Sequence, residues 1–523
     1  SDPIHPLRDG YREWWLPKFE EGITLALTKK HTIDISSFVE KAKTLGVLGV
    51  KVTQHNELKA EWLSEGECRR NIYSATKSFT SCAIGFAIQE GLISLDEKLT
   101  DAFADDIPEN PDENLKKATV RDLLTMCLGQ ESGHLMGEQR PLYKEDDWVK
   151  MVLSIPFVYE PGTHFVYNNV GPYLAGILVQ RRSGTDLVSY LMPRLFKHLE
   201  IKRPTWEIDP LGNTFGAGGL FLTLSELHKF GLLYLNKGKW NGKQLVPEGW
   251  IERMTTMQFE KSMDASNPDW EDWKCGYGFQ VWMCQIPNTF RFDGMFGQFG
   301  IVLKDYDASV VTTCGEAYTE AVLRLVWKYL VPAMKGADED SEQTERELEQ
   351  RKASLHIAWP LEHETVPAQT EKLWTELLGK TIVFPENQAS VLAESRVNNC
   401  HTSTWTEQHR TGIRSLRLEQ TDDGIVLCFE DNCNRGRLPV GDGAEPKRGL
   451  LCSLWGDYEV WTAARWLSDG RLCMQIRMVN GEYYQVFTMK KENDGIAVQI
   501  YSGPWDRRVG RPEGKEYHCS LLQ

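Results

Sequence analysis

The sequence contains no CxxC pair and no HExxH, and its 12 His are scattered, so nothing in it reads as a metal site or implies a metal or organic cofactor. It also lacks a surplus of positive charge. Lys and Arg number 59 against 74 Asp and Glu, a formal net charge of −15, which argues against nucleic acid as a partner. No apolar run is long enough to span a bilayer, and no basic n-region followed by an apolar h-region opens the chain, so no membrane partner is expected. No repeat of fixed period is visible. The 12 Cys lack the close spacing of a disulfide framework. In settings such as Cys82 in SFTSCAIGF and Cys428 in GIVLCFED they read as small buried hydrophobes, and free thiols point to a reducing cytoplasm.

What is there is ordinary globular material, 41% hydrophobic and 25% charged, in 523 residues, too many for one core. Residues 1–33 read as an irregular arm or an expression scar. From 34 to 335 strands at both ends bracket a mostly helical middle. GVLGVKVTQHNELKAEWL reads as strand, turn, strand. YGFQVWMCQ, TFRFDG, FGIVLKD and ASVVTTCG bring the strands back, and EAVLRLVWKYLVPAM closes with a helix. The expected fold is α/β (α+β): a mixed antiparallel sheet flanked by helices, with an inserted helical lobe and a cleft between the two parts. Residues 336–369 form an acidic linker or helix. From 370 to 523, short alternating strands punctuated by Asp-Gly and Asn-Gly predict a separate all-β accessory domain, a barrel or a sandwich.

Within the first domain, YSATKSFTS places Ser74 three residues before Lys77, at the start of a helix whose Phe79, Cys82, Ala83, Phe86 and Ala87 make one buried stripe. A serine hydroxyl becomes a nucleophile only when a neighbour takes its proton, and a lysine can do so only if its pKa is pulled down. Positions i and i+3 share a helix face, and the helix N-terminus favours a developing oxyanion. The spacing by itself fits a capping serine and a solvated lysine equally well. A second stretch, YEPGTHFVYNNVGPYLAGILVQRRSG, sets Tyr167, Asn168 and Asn169 between a Pro-Gly turn and an apolar helix.

Ser-x-x-Lys followed by Pro-Gly-x-x-Phe-x-Tyr-x-Asn resembles the serine β-lactamase and penicillin-binding-protein superfamily. The nearest branch holds class C β-lactamases, family VIII esterases and D-aminopeptidase-like hydrolases. LISLDEKLTDAF with TVRDLLTM, the segment from FGAGGLFLTLSELHKFGLLYLNKG to WNGKQLVPEGWIERM, and CGYGFQVWM resemble further stretches of that branch in its order, over roughly residues 36–335. The resemblance implies that Ser74 is acylated, that Lys77 accepts its proton, and that Tyr167 serves as shared general base and acid. It implies that Asn169 hydrogen-bonds the substrate and Lys77. It also implies that the N–H groups of Ser74 and Gln298 form the oxyanion hole, and that the β domain is barrel-like or lipocalin-like.

One motif departs from the family. Where the strand facing the nucleophile usually carries Lys/His-Thr/Ser/Gly-Gly, this chain has Met295-Phe296-Gly297, and the cation that grips a substrate carboxylate is gone. That weighs against a β-lactam or D-Ala-D-Ala substrate and favours a neutral or apolar acyl group on a small-molecule ester, amide or peptide. A D-aminopeptidase, a β-lactamase, an acyltransferase and a non-catalytic binder keeping the fold stay open, as does a homo-oligomer. His134 could line the cleft but suits a surface loop, GAGG at 216–219 suits tight packing, and Trp455, Trp461, Trp466 and Trp505 suit a core.

Overall fold

The computed structural model describes residues 33–64, 66–137, 139–260, 271–335, 377–385, 413–431, 435–441, 446–453, 456–467, 469–479, 484–492, 495–503 and 515–522. Residues 1–32 of the expected arm, the linker, Trp455 and Trp505 lie outside these residues, whereas Ile33 is buried in the core.

A six-stranded antiparallel sheet runs, in spatial order, Glu57–Leu63, Val47–Gln54, Ala308–Cys314, Gln298–Leu303, Thr289–Gly294 and Trp282–Met283. Val47–Gln54 and Ala308–Cys314 are buried throughout, as central strands covered on both faces must be. The first hairpin closes over His55 and Asn56, at φ 53° and 60°, the left-handed pair that a two-residue hairpin turn requires. Ser36–Thr44 and the helical segment 319–335 pack with one hydrophobic cluster of the sheet. Leu224–Leu235 packs with the other, started by a capping box between Thr223 and Glu226.

YGFQVWMCQ contributes less strand than its pattern suggests. Only Trp282–Met283 joins the ladder. Gln280, at φ 63°, leaves it, its backbone N–H donating to Leu124 O and its side-chain amide to Leu123 O. Those bonds tie the sheet edge to the helical lobe.

The lobe is built from Val120–Thr125, Trp148–Leu153, Val170–Ser183 and Leu187–Leu191. Helix Thr76–Gln89 runs between lobe and sheet, and every residue from Thr76 to Ala87 is buried. The expected single stripe is therefore a fully enclosed helix. Two of its polar side chains bond within the protein: Ser78 Oγ donates to Gln280 O and Thr80 Oγ1 to Gly216 O, both at 2.7 Å.

The C-terminal strands form a ten-stranded antiparallel sheet, a nearly closed all-β barrel with its own hydrophobic core, to which Trp466 belongs. Strand Thr381–Val383 lies between Ile413–Thr421 and Lys515–Leu522. At the remaining edge, Gly441 exchanges backbone hydrogen bonds with Thr462 and Ala464. This sheet touches the chain just upstream of Ser74: Arg70 Nη1 donates to Val479 O, and Cys68 Sγ lies 3.5 Å from the same oxygen. None of the nine cysteines whose side chains are described forms a disulfide, and no described helix is long and apolar enough to cross a membrane.

Candidate active site

Ser74 stands on a 3-10 turn, Tyr73–Ala75, that leads directly into the enclosed helix. It is half-buried while its neighbours on both sides are buried, so the hydroxyl is what this turn presents. The turn is held in an unusual conformation. Tyr73 has φ 48°, a left-handed value that costs a non-glycine residue roughly 1 kcal/mol or more. Two contacts enforce it: Tyr73 N–H donates to Asn71 Oδ1 at 2.8 Å, and its ring meets Phe296 edge-on at 5.3 Å. Asn71 is itself held by Glu207, whose carboxylate lies 3.5 Å from the buried Arg140 guanidinium.

Lys77 is 1% exposed, and its Nζ donates to Ser74 Oγ and to Ala217 O, both at 2.7 Å. The Ala217 carbonyl reaches it because Gly216 packs against Pro172 O, where a Cβ would sit 2.6 Å away. Burial strips water from the ammonium and the Arg140 guanidinium repels it, which together hold the pKa well below the ordinary lysine value. The Asp293 carboxylate opposes this.

Tyr167 completes the cluster. Its phenol is hydrogen-bonded to Ser74, Lys77 Nζ lies 5.2 Å from its ring centroid, and the ring stacks on Trp282 at 5.6 Å. Burial pushes the phenol up in pKa, the Ser74 hydrogen bond pulls it down, and Asp293 pushes it up again, with a net rise. Tyr167, far along the chain, thus meets the Ser74–Lys77 pair, with an amine biased toward its neutral form and a phenol that keeps its proton.

Asn169 sits differently from the expectation. Its Nδ2 donates to Leu135 O at 2.9 Å, and its buried Oδ1 has no partner among the described residues. Lys77 is already occupied by Ser74 and Ala217. The neighbouring Asn168 takes the structural load, its Oδ1 accepting from the backbone N–H of His134 and of Val170, both at 3.0 Å. Those bonds fix the Gly-rich loop against the Tyr167 segment, with His134 half-buried on it.

The strands Thr289–Gly294 and Gln298–Leu303 both pack against the Ser74 turn. Between them Met295 is 47% exposed, whereas Phe296 is buried at φ 65° and Gly297 has φ 86°. Gln298 is buried, and its side chain turns away to pair with the Cys314 backbone. The close approach expected of Gly297 is sharper at Gly294, where a Cβ would lie 2.1 Å from Ile72 O.

Sequence reading did not single out Arg140, Asp293, Asn71 or Glu207. Asn71 stands three residues before Ser74 and Asp293 two before Met295, both outside the motif positions themselves, and Arg140 and Glu207 come from distant segments. Among the described residues no group of His, Cys, Asp and Glu could hold a metal ion.

A family model described as "Beta-lactamase" matches residues 66–333. Over 219 residues the chain is 26% identical to an uncharacterized protein of Alkalihalophilus pseudofirmus, covering 38% of this chain and 57% of that one. Over 150 residues it is 29% identical to a lovastatin esterase of Penicillium rubens, covering 24% and 37%. The match thus spans less than two thirds of either relative. Among solved structures, the octameric penicillin-binding protein homologue from Pyrococcus abyssi aligns with TM-score 0.46 and 15% identity, over 92% of this chain and 99% of that one.

Proposed function

The chain belongs to the beta-lactamase family, and from that premise we propose that it is a serine hydrolase working through an acyl-enzyme on ester or amide substrates. The observation that carries this reading is the buried Lys77 amine 2.7 Å from Ser74 Oγ, biased toward the neutral form a base must have.

In this scheme Ser74 Oγ attacks the substrate carbonyl and its proton passes to Lys77. The oxyanion is held by the N–H groups of Ser74 and Gln298. As the tetrahedral species collapses, the bond to the leaving group breaks and that group takes a proton from Tyr167, which recovers one from Lys77. Water then adds to the acyl-Ser74 ester, and the same groups return the hydrogen to Ser74 as the acid departs. The raised pKa keeps the Tyr167 phenol protonated, so it cannot be the first acceptor, and in this scheme that role falls to Lys77.

Met295, exposed where the family places a cation, favours a neutral or apolar acyl group, and the similarity to a lovastatin esterase supports an ester. The test is intact-mass spectrometry with a fluorophosphonate probe, alongside turnover of short-chain p-nitrophenyl esters and of nitrocefin. The expected outcome is one added probe on wild type, none on Ser74→Ala, and ester turnover exceeding nitrocefin turnover. Equal labelling of both proteins would sink the mechanism, and faster nitrocefin turnover would sink the substrate class.

A further inference from the structure

One buried carboxylate reaches two segments that lead to different reacting groups. Glu207 is 1% exposed. Its Oε1 accepts from Asn71 Nδ2 at 3.3 Å, and its Oε2 lies 3.5 Å from Arg140 Nη1. The backbone on either side holds the carboxylate where it is. Glu207 N–H donates to Gly219 O at 2.9 Å, and Glu207 O accepts from Phe215 N–H at 2.8 Å. Gly219, at φ 78°, packs so close that a Cβ there would sit 2.2 Å from the Glu207 carboxyl group. The same short loop carries Ala217, whose carbonyl accepts from Lys77.

From Oε1 the contacts run to the nucleophile. Asn71 Oδ1 accepts from Tyr73 N–H at 2.8 Å, and Tyr73, at φ 48°, immediately precedes Ser74. From Oε2 they run to the loop beside Tyr167. Arg140 N–H donates to Met136 O at 3.1 Å, and Gln139 Nε2 donates to Gly133 O at 3.1 Å. Asn169 Nδ2 donates to Leu135 O of the same loop at 2.9 Å. Gly133 packs against the Tyr167 backbone, where a Cβ would come within 2.6 Å of Tyr167 O. Contacts between neighbours thus join the backbone before Ser74 to that of Tyr167, with the Glu207 carboxylate in the middle.

We infer that Glu207 is a positioning residue for the reaction, its two oxygens holding the Ser74 turn and the Tyr167 loop in one fixed relation through Asn71 and Arg140. This rests on the acyl-enzyme reading above. In that scheme the leaving group departs from a carbon bonded to Ser74 and takes its proton from Tyr167, so the two segments must keep their spacing. A misplacement of about 1 Å between such groups can slow a reaction on the order of 10²-fold. The left-handed Tyr73 is where the spacing would be lost first, because a strained φ persists only while its surroundings enforce it. A contact that merely stabilised the fold would leave turnover by the folded protein unchanged.

The test reverses the hydrogen bond between the two side chains. Asn71→Asp keeps an oxygen for Tyr73 N–H but sets a second carboxylate against Glu207. In Asn71→Asp/Glu207→Gln an amide at position 207 donates to a carboxylate at position 71, its oxygen still facing Arg140, and one carboxylate is buried as in wild type. The full chain is assayed for fluorophosphonate labelling of Ser74 by intact mass, and for kcat and KM with a short-chain p-nitrophenyl ester, below the melting temperature of each protein. Asn71→Asp is expected to label roughly 10–10²-fold more slowly than wild type, with a similar fall in kcat and KM changed by less than about threefold. The double variant should label within about threefold of wild type. Wild-type labelling by Asn71→Asp, a change confined to KM, or a double variant no faster than the single overturns this inference and leaves the acyl-enzyme standing. If Asn71→Asp does not fold, the double variant decides alone: labelling below about a tenth of the wild-type rate, or failure of that variant to fold, overturns the inference. A wild type that takes no probe overturns both readings.

Discussion

Lys77 gives up water for two hydrogen bonds and a place under an aromatic ring. Burying an ammonium costs several kcal/mol, so the fold tolerates the side chain by favouring its uncharged form. Lys77→Met is therefore expected to leave the melting temperature unchanged or higher while slowing probe labelling of Ser74 by roughly 10²–10⁴-fold. A folded variant labelled at the wild-type rate would show that the amine is not the base. Tyr167→Phe keeps the ring that stacks on Trp282 and loses only the hydroxyl. With a p-nitrophenyl ester it should accumulate acyl-Ser74, visible as added mass, because that leaving group departs without a proton whereas return of the enzyme to its free form is slowed. Ser74 and Lys77 could be paired from spacing, since three residues along a helix settle who faces whom. Asp293 and Arg140 could not, because their relation to Lys77 runs through other elements.

At the scale of elements, the reactive turn is shaped from outside. Tyr73 adopts its left-handed φ because Asn71, two residues earlier, holds its N–H and Phe296, from a distant segment, meets its ring. The strand Thr289–Gly294 comes in close enough to touch Ile72 O only because residue 294 lacks a Cβ. In Gly294→Ala the new carbon would sit 2.1 Å from that oxygen, and backbone cannot swing aside as a side-chain tip can. The expected result is a loss of about 2 kcal/mol or more in denaturant unfolding, together with slower labelling of Ser74 as strand and turn move apart. Wild-type stability and labelling in this variant would mean the strand is not pressed against the turn. Helix and strand identities here followed from periodicity and turn residues. The exception was YGFQVWMCQ, where Gln280 abandons the ladder for the carbonyls of Leu123 and Leu124, a tertiary reward that no local pattern encodes.

For the whole molecule, the contact of greatest interest joins the C-terminal sheet to the segment just before Ser74. Arg70, just upstream of Ser74, donates to the carbonyl of Val479 at the end of a C-terminal strand, and Asn71 next to it begins the chain of bonds that shapes the Tyr73 turn. Arg70 and Asn71 also pair with Leu222 and Phe221, so the segment is gripped from two sides. Arg70→Ala is expected to lower stability by about 1–3 kcal/mol, the range for a charged donor lost from a buried carbonyl. It should also reduce labelling of Ser74 by several-fold. Reduced stability with full labelling would show that the C-terminal sheet supports the catalytic domain without reaching its nucleophile.

Charge argues against nucleic acid, missing ligand motifs argue against metal chemistry, and ordered motifs point to a serine, a lysine and a tyrosine as the reacting groups. Those conclusions are available from a linear chain because each depends on residue type and short spacing. What only the tertiary structure decided is how burial and Arg140 lower the pKa of the amine, and which partners Asn169 takes. Burial and Coulomb forces act through space, and the segments bearing Ala217, Arg140 and Asp293 come together at Lys77 only when the lobe and the sheet close around their shared helix.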